Sequence, residues 1–501
     1  MHRPPTAEAE VAEELAAVRP GLVPRYSAEL PGARAAVLTR LWRALTHEPF
    51  PWLTDRTAGP DEVTLRLADG RRLRGPRPDP YATTAYVTAV RLDDVSYDDP
   101  ARLMTDLVVP HATDFAAELG HSVASLALSR AGQDQPRPTG WPREDWEWEQ
   151  RVVDGHPYHP GCRARPGFSV AEQLAYGPEH RPLVRLGLLP VTAGECLVTG
   201  VWPDELLDGG RLLLPVHPWQ AEHVLKRTCD TGLDARPLMS LRTLAVPDGG
   251  PHVKTALSAR LTSSVRDISG YSIRLSATLS EFARTLAARL DGLLHVTRTL
   301  GAATAHSPDL AAVLRESPQA HVTPGSGERV VPVAALPATG LPDSPAWLAE
   351  FARLALTVGL RLLDLGVALE AHGQNLLVVL SPAGAPLRLV YRDLADIRVS
   401  PARLARHGIP VPELTGRIVT DDETTLRRKL FGSLVAGALA GTAGSAAALG
   451  GALESAVREL PRTPDLTALR EQPLPAKALT LMRLSPGTPG DQWTALPNPL
   501  R

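Results

Sequence analysis

Lysine is nearly absent from this chain. Of 53 basic side chains only Lys226, Lys254, Lys429 and Lys477 are lysines, so arginine carries most of the positive charge and each lysine stands out as a candidate. Aromatic residues are 5% of the chain, and acidic residues offset the basic ones to a net charge of −2. With no basic stripe interleaved with aromatics, the electrostatic footprint of a nucleic-acid binder is missing. Cysteine is scarce as well: Cys162, Cys196 and Cys229 are odd in number and far apart. They make neither a disulfide framework nor a CxxC metal site, which suits a reducing, cytoplasmic setting. The acidic N-terminal stretch has no apolar core of the secretory kind. One charge-free stretch, Leu430 to Leu453, has the length of a membrane span. It is built from Gly, Ala, Ser and Thr, with Gly437 and Gly441 in small-xxx-small spacing, and its weak hydrophobicity predicts packed soluble helices instead. No GxxxxGK[ST] loop exists and no GxGxxG follows a strand, so side chains must hold any nucleotide.

At 501 residues and 53.7 kDa the chain is long enough for two or three domains. Apolar spacings of three and four predict helix over residues 7–47 and again over 100–130. Between them Val63, Leu65 and Leu67 alternate with polar residues ahead of Asp69-Gly70, as in a hairpin. Residues 132–145, with Pro136, Pro138 and Pro142, read as a boundary. Short β-like runs fill 146–275, Leu279 to Leu294 reads as helix, and 316–345 reads as a Pro/Gly/Ser-rich link. Trp347 to Leu369 is a long apolar helix, helices dominate to about residue 460, and the Pro-rich last forty residues are expected to wrap the surface.

Three polar constellations carry chemistry. In the first, Glu370, His372 and Asn375 precede an apolar run, Leu376 to Leu380. A Ser-Pro-Ala-Gly turn and a second run to Tyr391 then deliver Arg392-Asp393. A hairpin brings Asn375 and Asp393 to one end, where with Glu370 they offer the hard oxygens that Mg²⁺ takes. An Asn and an Asp flanking a hairpin also serve kinase-like Mg-nucleotide sites. The second runs from His156 through His159 to Arg163 and Arg165, a dense donor loop suited to phosphate oxygens. A zinc site using His156, His159 and His217 or Cys162 is its rival reading. In the third, Ser240, Arg242 and Lys254 are expected to share one face of a hairpin, because strand side chains repeat every two residues. Thr262 and Arg266, four apart, would share a helix face. Such converging cations would neutralise a triphosphate.

Together these residues resemble the IucA/IucC family of NRPS-independent siderophore synthetases. Gly155-His156-Pro157-Tyr158-His159-Pro160 through Phe168 is similar to its GHPxHPxxKxRxGF pattern, with Arg163 where the family usually has Lys. Tyr176-Gly-Pro178-Glu179 and His217-Pro218-Trp219-Gln220 follow in family order. The family's ATP-phosphate positions fall on Ser240, Arg242, Lys254, Thr262 and Arg266, and its E-x-H-x-x-N and R-D elements on Glu370, His372, Asn375, Arg392 and Asp393. The chain is short for the family. The resemblance implies an α+β, hand-like architecture: a helical thumb (1–145), β-rich ATP-binding fingers (146–300) and a mainly helical palm (301–501). It implies that ATP adenylates a carboxyl group of citrate, a derivative or a succinate-type acid, which an amine or hydroxyl then captures in siderophore biosynthesis. His156, His159 and Arg163 would join the ATP contacts, Glu370, Asn375 and Asp393 would hold Mg²⁺, and His372, Arg266 and Lys254 would act on the reacting groups. A cytoplasmic homodimer with neither nucleic-acid nor membrane partner is implied too. The rivals are a kinase-like phosphotransferase, a non-catalytic nucleotide or carboxylate binder, and a zinc hydrolase.

Overall fold

The computed structural model describes residues 6–133, 140–229, 231–261 and 264–501. Thr6 starts the first helix, Ala7–Val18, by accepting the Ala9 amide proton, and a single 3₁₀ turn at Pro20–Leu22 leads into the helix Val23–His47. Two helices therefore replace the one continuous helix expected over 7–47. The next helical stretch also divides, into Pro100–Leu107 and Ala112–Ala131, at Val108 and His111 with left-handed φ of 51° and 60°. Pro110 lies in the break and has no amide proton to continue a helix. Between these helices the chain makes a five-stranded antiparallel meander, Leu53–Ala58 to Val95–Tyr97, so the N-terminal region is mixed and not purely helical. Its first strand buries one residue and then exposes five, leaving no apolar alternation to read. Pro136 and Pro138 of the expected boundary lie outside the described residues.

A nine-stranded sheet follows, running from Val184–Thr192 to Leu310–Arg315 and thus past residue 300. The helix Gly270–Ala287, capped by the Ser269 hydroxyl, packs on its strands Thr299–Ser307 and Leu197–Gly200. That helix stops at Ala287, because Leu294–Val296 is a strand and not the end of the expected helix. Leu257–Leu261 and Ser264–Arg266 pair as a two-stranded sheet, with Leu257 opposite Arg266. The helical turn expected for Thr262 and Arg266 is therefore wrong, and Thr262 itself lies outside the described residues.

The C-terminal region is built on the helix Pro345–Leu365, which ends at Gly366 with φ of 110°. A Cβ there would meet the Ser400 carbonyl oxygen at 2.9 Å, so glycine is required for both reasons. A four-stranded sheet lies beside this helix, ordered Leu294–Val296, Pro386–Tyr391, Leu376–Leu380 and Arg329–Pro332. The last of these comes from the stretch expected to be a bare link. Leu430 to Leu453 is no continuous rod: its helices turn by 119° at Gly444, and among the described residues no single helix is long and apolar enough to cross a membrane. The chain's end does not simply wrap the surface. Leu474–Lys477 pairs with Trp493–Leu496, while Ala478, Leu481 and Leu484 enter the N-terminal core.

Candidate functional site

All five residues of Leu376–Leu380 are buried, and Leu376 pairs with Tyr391 across the hairpin. This register makes the Arg392 amide donate to the Asn375 carbonyl at 3.0 Å, so Asn375 and Asp393 do lie at one end. Asp393 adopts a left-handed φ of 71° as the chain leaves the strand. Its Oδ2 accepts from Lys254 Nζ at 2.7 Å and its Oδ1 from Arg315 Nη2 at 3.0 Å. Burial alone would raise the Asp393 pKa, but Arg315, Lys254 and Arg242 outweigh it and hold the carboxyl well below the usual range. Burial pushes Lys254 down to about 7 and Arg242 down to about 10, each against the upward pull of Asp393. Arg266 is lowered by burial too, with Asp393 and Glu370 as its anionic neighbours.

Glu370 forms the other half. Its Oε1 accepts from Lys429 Nζ and from Lys477 Nζ, both at 2.9 Å, and Lys429 also meets Asp396. Lys477 and Lys429 overcome the effect of burial and keep Glu370 ionised far into acid. The Asn375 amide donates to the Glu370 carbonyl at 3.3 Å, and His372 Nδ1 accepts the Gln374 amide proton at 3.2 Å. Burial lowers the His372 pKa and leaves a neutral ring. Three of the four lysines in the chain thus converge on two carboxylates.

The remaining predicted residues fall less evenly. Lys254 pairs with Thr243, not with Arg242, so strand alternation does not put Ser240, Arg242 and Lys254 on one face. Arg242 precedes the strand Thr243–Ala245 and follows Leu241, whose φ is 66°. The kink still leaves Arg242 electrostatically coupled to Lys254 and Asp393. The Ser240 hydroxyl accepts the Thr243 amide proton at 3.2 Å, closing that turn. His156 and His159 are 6.4 Å apart between ring centres, and His372 and Arg266 act on them respectively. His159 is buried with neither ring nitrogen bonded, and burial holds it neutral down to about 3.

Arg163 is tied up elsewhere: it pairs with Glu179 at 3.4 Å and donates to the carbonyls of Val152, at 2.6 Å, and Val153. Arg165 reaches the same Glu179 at 2.8 Å. The Glu of the Tyr-x-Pro-Glu motif is therefore the buried counterion of the His-Arg loop. For the zinc reading, the only three His, Cys, Asp or Glu ligand atoms within 4.8 Å of one another among the described residues belong to Glu172, Glu222 and His223. His156, His159, His217 and Cys162 are not in that set.

The groups at the hairpin end are of the hard-oxygen kind that a divalent ion takes, although both Asp393 oxygens accept from cations, Oδ2 from Lys254 and Oδ1 from Arg315. Glu370 and Asp393 are ionised hard-oxygen groups, and both lysine contacts to Glu370 go to Oε1, leaving Oε2 outside them. Sequence reasoning missed Arg315, Glu149 and Asp396. Lys429 and Lys477 were signalled only by the rarity of lysine.

Residues 145–338 match the IucA / IucC family model, and residues 345–489 match the one described as ferric iron reductase FhuF-like transporter. A citryl-spermidine/3,4-dihydroxybenzoyl-citryl-spermidine:spermidine ligase of Bacillus anthracis is 26% identical over 315 residues, covering 50% of this chain and 51% of that protein. An N(2)-citryl-N(6)-acetyl-N(6)-hydroxylysine synthase of Escherichia coli is 25% identical over 311 residues, covering 49% and 54%. The chain thus spans about half the length of the curated relatives it matches. Among solved structures, the petrobactin biosynthesis protein AsbB of Bacillus anthracis superimposes with a TM-score of 0.78 at 18% identity, over 96% of this chain and 98% of that one. ATP-bound aerobactin synthetase IucA of Klebsiella pneumoniae gives 0.71 at 20%, over 93% and 99%. The fold is the mixed helix-and-sheet fold of those proteins, and residues 145–338 are similar to the IucA/IucC family.

Proposed function

We propose that this protein is an ATP-dependent synthetase that adenylates a carboxyl group of citrate or a related acid and joins it to an amine or hydroxyl in siderophore biosynthesis. One observation carries the reading: Asp393 sits at the hairpin end within a ring of Lys254, Arg315, Arg242 and Arg266. In the Glu370 half Lys429 and Lys477 meet Glu370, Asp396 and Asp491, so the positive surplus that suits a polyanion lies around Asp393. The curated relatives are named as ligases and synthases, which does not favour the phosphotransferase alternative. The segment resembling the reductase-like transporter has no cysteine, so it offers no thiolate for an iron–sulfur centre.

In this reading Arg242, Lys254 and Arg266 offset the repulsion between a carboxylate and the triphosphate it must approach. A carboxylate oxygen of the acid attacks the α-phosphorus and the bond to pyrophosphate breaks. The amine or hydroxyl then attacks the acyl carbon and AMP leaves. Glu370, Asn375 and Asp393 would hold Mg²⁺, which neutralises charge on the departing pyrophosphate. His372, neutral and beside Glu370, has its Nδ1 engaged by the Gln374 amide, so its Nε2–H would donate to the substrate carboxylate while the proton lost by the nucleophile passes to solvent. The N-terminal, nine-stranded and C-terminal cores would be the thumb, fingers and palm of a hand. Incubation with ATP, Mg²⁺, hydroxylamine and a panel of carboxylic acids should yield hydroxamate with equal amounts of AMP and pyrophosphate. ADP as the sole nucleotide product would sink this function.

A further inference from the structure

The short helix Asp145–Glu149 lies outside every motif quoted above, yet it reaches the segments that carry Asp393, Arg242 and Lys254. Glu149 is 1% exposed, and a carboxylate so buried must be fully partnered. Its Oε1 lies 2.6 Å from Arg392 Nη1, and its Oε2 accepts the Met239 amide proton at 3.0 Å. Arg392 immediately precedes Asp393, and its Nε and Nη2 also donate to the Gln374 carbonyl, at 3.1 and 2.8 Å. Met239 immediately precedes Ser240 and the left-handed Leu241 that turns the chain into Arg242. One turn earlier, Asp145 Oδ2 lies 2.9 Å from His252 Nε2, two residues from Lys254 on the same strand. The next residue, Gln150, donates to the Pro237 carbonyl at 3.3 Å.

We infer that Glu149 is a positioning residue that sets the 239–242 turn against Asp393, by joining the Arg392 guanidinium on one wall of the cleft to the Met239 amide on the other. The inference rests on the cleft being a Mg-ATP site, but not on which bond of ATP breaks. Because Glu149 touches no reacting atom, its effect should pass through the placement of Arg242 and Asp393, and so through nucleotide binding.

Glu149→Gln keeps the shape and removes the charge. We expect KM for Mg-ATP to rise by about 10-fold or more while KM for the acid moves by less than about 2-fold. A variant that had merely lost part of its folded fraction would show a lower apparent kcat with both KM values unchanged. Should Glu149→Gln fail to fold because Arg392 is stranded, the double variant Glu149→Gln/Arg392→Gln removes both charges and decides the matter by the same KM comparison. An unchanged KM for Mg-ATP in the folded variant overturns the inference. A wild-type protein that makes ADP in place of AMP removes the synthetase reading alone, since the shift in KM for Mg-ATP still reports on Glu149.

Discussion

Asp393 and Glu179 are each gripped by two cations, Asp393 by Lys254 and Arg315 and Glu179 by Arg163 and Arg165. Charge alone does not tell them apart; exposure does. The Asp393 side chain is 26% exposed at the end of a hairpin, whereas Glu179 is 0% exposed and its arginines 5%. Glu179 also receives the Ser129 hydroxyl at 2.7 Å, and Arg163 Nη2 donates to the carbonyls of Val152 and Val153. Arg163 Nε and Arg165 Nη1 are buried without a hydrogen-bond partner, so it is burial that closes this cluster. At Asp393 the same pairing is partly open to solvent, so an arriving anion can compete for Lys254 and Arg315. A charged triad with solvent access is a site, and one without it is a fastening.

Breaking the fastening should produce the largest effect. Glu179→Ala strands two buried guanidinium groups, and removing one partner of a buried ion pair typically costs about 3–5 kcal/mol. Urea unfolding should show that loss as a lower midpoint, with any activity falling only in step with the folded fraction. A loss under about 1 kcal/mol would mean that Arg163 and Arg165 have other partners and that the contrast is misdrawn.

The complementary change is Asp393→Asn, which keeps the size and removes the charge. It should destabilise by less than the Glu179 change, because Lys254 and Arg315 are 9% and 12% exposed against 5% for Arg163 and Arg165. Activity should fall by about 10²–10³ in kcat, or about 2.7–4 kcal/mol, the usual cost of losing one preorganised electrostatic group. Strong destabilisation with normal turnover per folded molecule would exchange the roles of the two carboxylates.

Much of the open site was legible because it is local. A hairpin of known turn chemistry sends Asn375 and Asp393 to one end whatever the rest of the chain does. Lys429 and Lys477 were not legible in this way: they arrive from the helix Glu423–Leu430 and the strand Leu474–Lys477, and nothing near them in sequence points to Glu370. Arg315 is hidden for the same reason, on a strand of the nine-stranded sheet beyond the expected end of the β-rich region. Glu179 was visible as part of a motif, but its burial was not, and burial is what decides its role. The reading of Arg266 shows the limit of spacing alone: residues four apart fit one helix face, yet Arg266 lies on a strand paired with Leu257–Leu261.

The smallest expected effect sharpens the contrast through pH. His180 lies 3.8 Å from Glu179 and is 4% exposed. Burial pushes its pKa down to about 4, with Arg165, Arg163 and Arg19 adding to the fall and Glu179 opposing it. Below the ordinary value of 6.5 the unfolded chain therefore takes up a proton that the folded protein refuses until about 4. The stability tied to this ring is complete above 6.5 and is lost as the pH falls toward 4, at up to about 1.4 kcal/mol per pH unit. His180→Gln removes the titrating group, so its stability should approach that of the parent on acidification, the gap closing by roughly 1 kcal/mol between about pH 6.5 and 5.5. Urea midpoints at the two pH values measure this directly, and a gap that stays constant would show that folding leaves the His180 pKa unshifted. Over the same interval Asp393 stays ionised, because its cationic neighbours hold its pKa well below this range. Mild acid should therefore loosen the closed cluster while Asp393 keeps its charge.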